Sequence, residues 1–309
     1  MKLLTSCKIC GGQKFKVLFK QKDKNLGVPG KFGVSVCKNC RVYFMNPFPE
    51  KKDTAKYYPT KSYYSLSTID KDSLKTNLKI KIYKTFGKEG FDLKKLLLAP
   101  IYSFSRGVVF KKNAKLLDIG SGSGQFLYEI KQVGMQGYGV EPGKYDKASA
   151  KREGLTIQNT GSLKRYKPQY FDIVTLNHVI EHLDEPRTTL REIRRVLKKE
   201  GTLIIGLPNT NSWAAKLFGK NWYQLDMPRH LLNYSEKLLK DLLEEAGFKI
   251  LKVRHNSRPS QFSVSLRYLL NIKKRGIFEK ILDVIFIIPT WVTNIFRVSD
   301  QIEVYCINR

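Results

Sequence analysis

From residue 113 onward, short apolar runs alternate with segments in which apolar residues recur every three to four positions. Runs rich in Val, Ile and Leu are typical of strands buried on both faces, and the amphipathic segments between them predict helices. We predict strands near 115–119, 136–141, 155–159, 171–176, 202–207, 249–255 and 302–307, and helices near 124–133, 143–153, 187–198 and 235–246. This alternation predicts an α/β fold, in which a doubly wound, mainly parallel sheet binds ligands at the carboxyl ends of its strands.

An insertion, residues 258–298, separates the last two predicted strands. Within it, apolar residues recur at helical spacing, at Ile277, Ile281, Ile285, Ile288, Val292 and Ile295. Basic residues flank this stretch, at Lys273, Lys274, Arg275 and Arg297, and Pro289 predicts a bend in the helix. The pattern fits an interfacial helix on an anionic membrane, or a helix packed on the core or on a second subunit. The uncharged apolar run at residues 284–296 is shorter than the roughly 18–20 residues that cross a bilayer, so we predict no transmembrane span.

A glycine-rich turn follows the first of these strands. Gly120, Gly122 and Gly124 alternate with serines, among them Ser121. Because glycine has no Cβ, such a turn lets the backbone approach a ligand closely at the end of a strand. Glu141 lies about twenty residues further on, at the end of the next predicted strand, where a carboxylate can bind both hydroxyls of a ribose.

The turn differs from the usual dinucleotide pattern, because Gln125 stands where that pattern has its third glycine. Asp118, just before the turn, suits a cationic amino-acid group better than a pyrophosphate. These residues predict a nucleotide-type pocket whose occupant is S-adenosylmethionine.

The charge of the chain is strongly basic, at +29 over 309 residues, and unevenly spread. Residues 1–112 hold 25 Lys/Arg against 7 Asp/Glu, residues 113–250 hold 21 against 16, and residues 251–309 hold 10 against 4. Basic surfaces attract phosphates of nucleic acid, anionic lipid or lipid-linked diphosphates. The alternative is a lysine-rich composition shared by the proteins of the source.

Four cysteines form two CxxC pairs, Cys7–Cys10 and Cys37–Cys40. Such pairs can arrange four thiolates tetrahedrally around a structural Zn²⁺. The apolar part of the N-terminus, Leu3–Leu4, is too short for a signal peptide, so we expect a cytoplasmic protein with reduced thiols. The fifth cysteine, Cys306, lies in an apolar strand and is interpreted as a core residue.

With these residues, the chain resembles the class I S-adenosylmethionine-dependent methyltransferases, in the branch related to ubiquinone-biosynthesis and sugar methyltransferases, with an N-terminal zinc ribbon. The segments that carry the resemblance are the glycine turn, Glu141, residues 171–182, residues 207–209 and residues 226–231. The resemblance implies a Rossmann-like sheet of seven strands with the last one antiparallel. It also implies a zinc ribbon at 1–48, a helical linker or cap at 49–112 and a methyltransferase domain at 113–309.

The resemblance further implies roles for individual residues. The backbone around Gly120 and Gly122 would bind the methionine part of the cofactor, Glu141 the ribose, and Asn177 and His178 would line the pocket. Relatives often place an acidic residue against the adenine, whereas here Ser162 or backbone carbonyls would replace it.

Methyl transfer to oxygen is helped by a base, and histidine has a suitable pKa. We expect His230 to be this base, with His178 as the second candidate. Glu181 and His182, together with His178, are an alternative set of ligands for a divalent metal. Arg229 would pair with an acceptor phosphate or carboxylate, or with Asp226.

The predicted function is O-methylation of a sugar or of a lipid-linked surface-glycan acceptor, in the cytoplasm and peripherally at the inner membrane. One alternative is an RNA methyltransferase whose ribbon and lysines bind phosphates, although the ribbon shows no basic and aromatic stacking platform. The others are a quinone-type lipid methyltransferase and a non-catalytic binding module. No oligomeric state is predicted.

Overall fold

The computed structural model describes residues 1–58, 68–86, 93–95, 98, 105–272 and 276–309. Its central feature is a seven-stranded sheet with the order β10-β11-β8-β7-β4-β5-β6. The strands are β4 (Lys115–Ile119), β5 (Gln136–Val140), β6 (Thr156–Gln158), β7 (Phe171–Asn177), β8 (Leu197–Pro208), β10 (Phe248–His255) and β11 (Gln301–Asn308). Strand β11 runs antiparallel to both of its neighbours, β8 and β10. The predicted fold class, with an antiparallel last strand, is confirmed.

Helices cover both faces of this sheet. They are α2 (Leu74–Phe86), α3 (Gln125–Lys131), α4 (Lys147–Arg152), α5 (Pro186–Val196), α6 (Trp213–Phe218) and α7 (Glu236–Glu245), after a single turn α1 (Lys51–Thr54). Because successive strand residues point to opposite faces, Leu116 packs in a cluster with Ile82 and Tyr83, whereas Leu117 joins a larger cluster that includes Leu239. The predicted linker or cap at 49–112, described in part, thus contributes α2 to one face of the core.

A second, four-stranded sheet contains the N-terminal strands β1 (Phe15–Gln21), β2 (Phe32–Cys37) and β3 (Tyr43–Met45). Its fourth strand, β9 (Leu232–Asn233), comes from the C-terminal part of the chain and pairs antiparallel with β3. The cysteine-containing segment is therefore joined by main-chain pairing to the loop that follows residue 226.

The insertion forms three helices, α8 (Ser260–Leu269), α9 (Ile277–Ile285) and α10 (Ile287–Ile295). The helical stretch is interrupted at Phe286, in the turn before Pro289, because a proline ring clashes with the carbonyl four residues earlier, here that of Ile285. Proline is then accommodated in the first turn of α10. Within the described residues, no helix is long and apolar enough to span a membrane. The flanking residues 273–275 lie outside the described residues.

The predicted apolar face of α9 and α10 points away from the protein. Ile277 and Ile288, for example, are 73% and 72% exposed. The helix pair contacts its own chain through its other face, by way of α8.

Candidate functional site

The glycine turn connects β4 to α3 and bends back against the end of β5. The amides of Gly120 and Ser121 both donate to the carbonyl of Val140, at 2.8 and 3.2 Å. Gly120 has a φ of 72°, and a Cβ there would lie only 2.5 Å from Cγ2 of Val179. Glycine is required here by both the left-handed backbone and the close approach of a neighbouring loop. Gly124, with a φ of 92°, precedes the first residue of α3.

Glu141 faces this turn from the end of β5, as the sequence predicts. Its carboxylate accepts hydrogen bonds from the amides of Gly122, at 2.9 Å, and Gly143, at 2.8 Å. Burial raises the pKa of the Glu141 carboxyl, whereas these two amides oppose the shift. Asn159 was not identified from the sequence, and its side-chain amide donates to the carbonyls of Glu141 and Gly143, which holds the Glu141 backbone in place.

Asp118 lies buried at the end of β4, but its charge is already paired. Arg106 donates to both carboxylate oxygens, and Thr175 donates to Oδ1 at 2.7 Å. The Arg106 guanidinium also stacks 3.7 Å from the ring centre of Phe126. Arg106 was not anticipated, because it lies in no motif and twelve positions before Asp118. The predicted interaction of Asp118 with a cationic ligand group stays a prediction.

The remaining predicted pocket residues lie on two loops at the same edge of the sheet. Asn177 ends β7, and His178 follows it with a left-handed φ of 54° and donates its amide to the carbonyl of Gly206. Ser162 is exposed on the loop after β6, and its neighbour Gly161 lies near Pro142, beside Glu141.

The candidate bases converge on Glu181, which is fully buried. Its Oε1 lies 3.3 Å from Nδ1 of His178 and 3.9 Å from Nε2 of His230. Burial alone would raise the pKa of Glu181, but the hydrogen bond with His178 and the charges of both histidines lower it to about 2. Glu181 is therefore an anion that faces both histidines predicted from the sequence.

Backbone carbonyls set the protonation of two of the rings. His230 Nδ1 lies 2.7 Å from the carbonyl oxygen of Gln224, and His182 Nδ1 lies 2.9 Å from that of Arg229. Because a carbonyl oxygen can only accept, each ring carries a proton on Nδ1, and in the neutral form of the ring the lone pair is on Nε2. Burial lowers the pKa of His182 to about 4, so this ring is neutral near pH 7.

These atoms also form a potential metal site, since Glu181, His182 and His230 each offer a ligand atom and all three atoms lie within 4.8 Å of one another. Metal-binding histidines commonly donate their second nitrogen to a carbonyl in this way. The cluster is thus compatible with acid–base chemistry and with a divalent ion.

The four CxxC cysteines of the N-terminal segment lie together, with their sulfur atoms within 4.8 Å of one another. The Sγ atoms of Cys7 and Cys40, and those of Cys10 and Cys37, are 3.6 Å apart. Tetrahedral zinc with Zn–S bonds of about 2.3 Å requires sulfur separations of about 3.8 Å, so these residues fit the ion. A hydrogen bond between Cys7 and Cys40 lowers the pKa of Cys7 to about 5 and raises the pKa of Cys40.

The N-terminal segment also reaches the histidine cluster. Tyr58 places its hydroxyl 3.0 Å from His182 Nδ1. Arg229, next to His230, pairs with Asp226 on its own loop, which is one of the partners predicted for it from the sequence. It also pairs with Asp23 of the N-terminal segment. The Asp23 contact was not predicted.

The sheet order, together with Glu141 facing the glycine turn, places the chain in the Rossmann-like class of α/β proteins that hold nucleotide cofactors. The sequence profile of a family described as a methyltransferase domain matches residues 93–253, just over half of the chain. The chain belongs to this family of methyltransferase domains.

Curated relatives match part of the chain. It is 30% identical over 139 residues to an uncharacterized protein of Methanocaldococcus jannaschii, covering 44% of this chain and 65% of that one. It is also 30% identical over 146 residues to a ubiquinone biosynthesis O-methyltransferase of Cereibacter sphaeroides, covering 43% of this chain and 59% of the relative. The matches therefore span less than two thirds of either relative.

Among solved structures, the Burkholderia thailandensis 1,6-didemethyltoxoflavin-N1-methyltransferase, crystallised with S-adenosylhomocysteine, aligns with a TM-score of 0.48 and 14% identity. The alignment covers 91% of this chain and 96% of that one.

Proposed function

We propose that this protein transfers a methyl group from S-adenosylmethionine to a hydroxyl of a small or lipid-linked acceptor. The observation that carries the proposal is the placement of Glu181 between His178 and His230, at the same edge of the sheet as the glycine turn and Glu141. Cofactor and base would then be held by neighbouring loops, as a direct displacement requires.

When bound, the cofactor supplies an electrophilic methyl group on a sulfonium. Glu141 binds its ribose in this proposal, and the backbone of Gly120 and Gly122 contacts the methionine part. His230 accepts the hydroxyl proton of the acceptor on Nε2, because its Nδ1 proton is already donated to Gln224. Glu181 stabilises the resulting imidazolium, since it remains ionised with a pKa of about 2. His178 is the second candidate for the same step.

Zinc at Cys7, Cys10, Cys37 and Cys40 is proposed as a structural ion. With four thiolates, the ion would have no open position for a substrate. Its effect on the site would be mechanical, because β2 begins at Phe32, ends at Cys37 and pairs with β3, which in turn pairs with β9 beyond His230.

Two acceptor classes have specific support. A lipid-linked glycan phosphate matches the excess of basic residues outside the central part of the chain. A phenolic quinone precursor is suggested by the relative from Cereibacter sphaeroides, whose name describes ubiquinone biosynthesis O-methylation.

The acceptor is identified by incubating the zinc-replete protein with methyl-labelled S-adenosylmethionine and separate pools of lipid-linked sugars, phenolic quinone precursors and RNA. We expect label in the lipid-linked sugar pool, located on an oxygen by mass spectrometry and lost with His230→Ala. Label in RNA alone, with binding that weakens steeply with salt, would replace this acceptor assignment with the nucleic-acid alternative.

A further inference from the structure

The last two helices of the insertion have an inverted distribution of polarity. Thr290 and Thr293 of α10 are buried, at 0% and 2% exposure, although threonine is a polar residue that is common on surfaces. The large apolar residues of the same helices, such as Val284 and Ile288, are 68% and 72% exposed. A helix on a water-soluble domain normally has the opposite arrangement.

Two of the buried polar side chains of α9 and α10, Glu279 and Thr293, are paired with α8. Arg267 and Glu279 form an ion pair with an Nε–Oε2 distance of 2.6 Å, and the amide of Gln261 donates to the hydroxyl of Thr293 at 3.1 Å. The helix pair is thus anchored through its polar face, which fixes the apolar face outward.

The exposed apolar residues are concentrated in one part of the chain. Of the 24 large apolar residues exposed in the described part of the chain, 14 lie between residues 269 and 296. Trp213 and Leu217 of α6 extend this surface, since the amide of Trp213 donates to the carbonyl of Val298 at 2.9 Å. We call the exposed apolar side chains of residues 269–296, with Trp213 and Leu217, the apolar ridge. A contiguous surface of this kind marks an interaction site.

The insertion that carries the apolar ridge is basic in composition. Residues 256–298 contain seven Lys/Arg and two Asp/Glu, and both acids are engaged with α8, Glu279 with Arg267 and Asp283 with Ser263. Exposed Lys216, Lys280 and Arg297 lie beside the ridge in sequence. These three exposed residues give the ridge a basic border.

We propose that the apolar ridge docks on the surface of an anionic lipid bilayer. Apolar insertion combined with basic residues at the rim is the combination that binds such membranes. A second copy of this chain would bring the same positive rim against the first, which opposes self-association through this face. Helices α9 and α10 have nine residues each, about 14 Å at 1.5 Å per residue, so they lie along the interface rather than across it.

The ridge is attached where β10 ends, at His255, and where β11 begins, at Gln301. This is the edge of the sheet that carries the glycine turn, so docking would bring the candidate active site close to the lipid. That consequence rests on the proposed function and favours a lipid-linked acceptor. Docking itself does not depend on methyl transfer.

Full-length protein is mixed with vesicles of phosphatidylcholine alone or with phosphatidylglycerol, and bound protein is measured by flotation. We expect binding to the anionic vesicles that weakens with salt and falls by about tenfold or more in the double variant Val284→Asp/Ile288→Asp. Leu74→Asp, at an 89% exposed apolar position on α2, is the matched control and leaves binding unchanged.

Intrinsic fluorescence locates the contact. Trp213 and Trp291 are 54% and 44% exposed on the ridge, whereas Trp222 is buried. We expect brominated lipids to quench the wild-type emission, and less so after Trp291→Phe.

Failure to float with anionic vesicles, or equal loss of binding with Leu74→Asp, would overturn the proposal. A dimer in sedimentation velocity that dissociates in the double variant, without vesicle binding, would assign the ridge to a second copy instead. Calorimetry with S-adenosylmethionine is run on the same samples: vesicle binding without cofactor binding would refute the proposed function and leave the docking inference standing.

Discussion

Asp23 and Arg229 form a bidentate ion pair between the N-terminal segment and the loop that carries His230, with N–O distances of 2.8 and 2.9 Å. Both side chains are buried, at 0% and 1% exposure. Arg229 also donates to Asp226, and its backbone carbonyl receives the His182 ring proton. Arg229 thus connects the N-terminal segment to the loop that carries His230, and its carbonyl positions the His182 ring.

We predict that Arg229→Ala lowers the free energy of unfolding by about 3–5 kcal/mol, because it leaves two carboxylates without their buried partner. Chemical denaturation followed by circular dichroism measures this loss. Lys237→Ala is the control, since Lys237 pairs with Asp241 at an exposed position and its loss is expected to cost far less. Equal losses in the two variants would contradict the role given to the Asp23 pair.

Acid should destabilise the protein partly through Asp23. Burial opposes ionisation, but the hydrogen bonds and charge of Arg229 hold the pKa of Asp23 below its ordinary value. A depressed folded-state pKa contributes stability above the unfolded value of about 3.9, and this contribution is lost as the pH falls through the folded pKa. Thermal midpoints measured from pH 7 down to pH 3 should therefore drop less steeply for Asp23→Asn than for wild type.

The matched variant for the acid series is Asp241→Asn, at an exposed pair with Lys237. It should reproduce the wild-type slope. A wild-type slope in Asp23→Asn as well would show that other carboxyls govern the acid response.

The purified protein is predicted to contain one zinc ion per chain, measured by mass spectrometry of the metal. Cys37→Ser should lose the ion and lower the unfolding midpoint, because a structural zinc site contributes directly to folding free energy. Cys306→Ala, which removes the buried thiol in β11, should retain the full zinc content. Undiminished zinc in Cys37→Ser would remove that residue from the ligand set.

Glu181→Gln is predicted to lower kcat by about 100-fold or more, with little change in KM, because the imidazolium formed during proton transfer loses its compensating charge. The acidic limb of the pH profile should move to lower pH, since removal of a nearby anion makes a histidine less basic. The assay uses the acceptor that the labelling experiment identifies.

Glu236→Gln provides a matched comparison, because Oε2 of Glu236 lies 3.1 Å from Nε2 of His255, a histidine at the end of the edge strand β10. We expect it to leave kcat nearly unchanged. Restoration of Glu181→Gln activity by a divalent metal ion, with no movement of the pH profile, would instead assign the cluster to metal binding.

Much of the fold could be predicted from the sequence, because its signals are local. The strand at residues 115–119 is an apolar run that ends in glycine, and α7 begins after Ser235, which caps it by accepting from the amide of Leu238. The position of Glu141 followed from its spacing to the turn.

The contacts that shape the site were less accessible to prediction. Asp23 lies 206 positions before Arg229, and Arg106 reaches Asp118 from outside any motif. The position of the ring proton of His230 depends on the backbone carbonyl of Gln224, which comes close to the ring only in the folded protein.

The proposed pocket for S-adenosylmethionine is built on the glycine turn and Glu141. Isothermal titration of the zinc-replete protein with S-adenosylmethionine and S-adenosylhomocysteine tests it most directly. We predict micromolar binding of both to the wild type, weakened by about 10- to 100-fold in Glu141→Ala, which loses charged hydrogen bonds to the ribose. Glu153→Ala, which changes the residue directly after the C-terminal end of α4, should bind like the wild type. No binding of either compound to the wild type would contradict the account and leave a non-catalytic binding module.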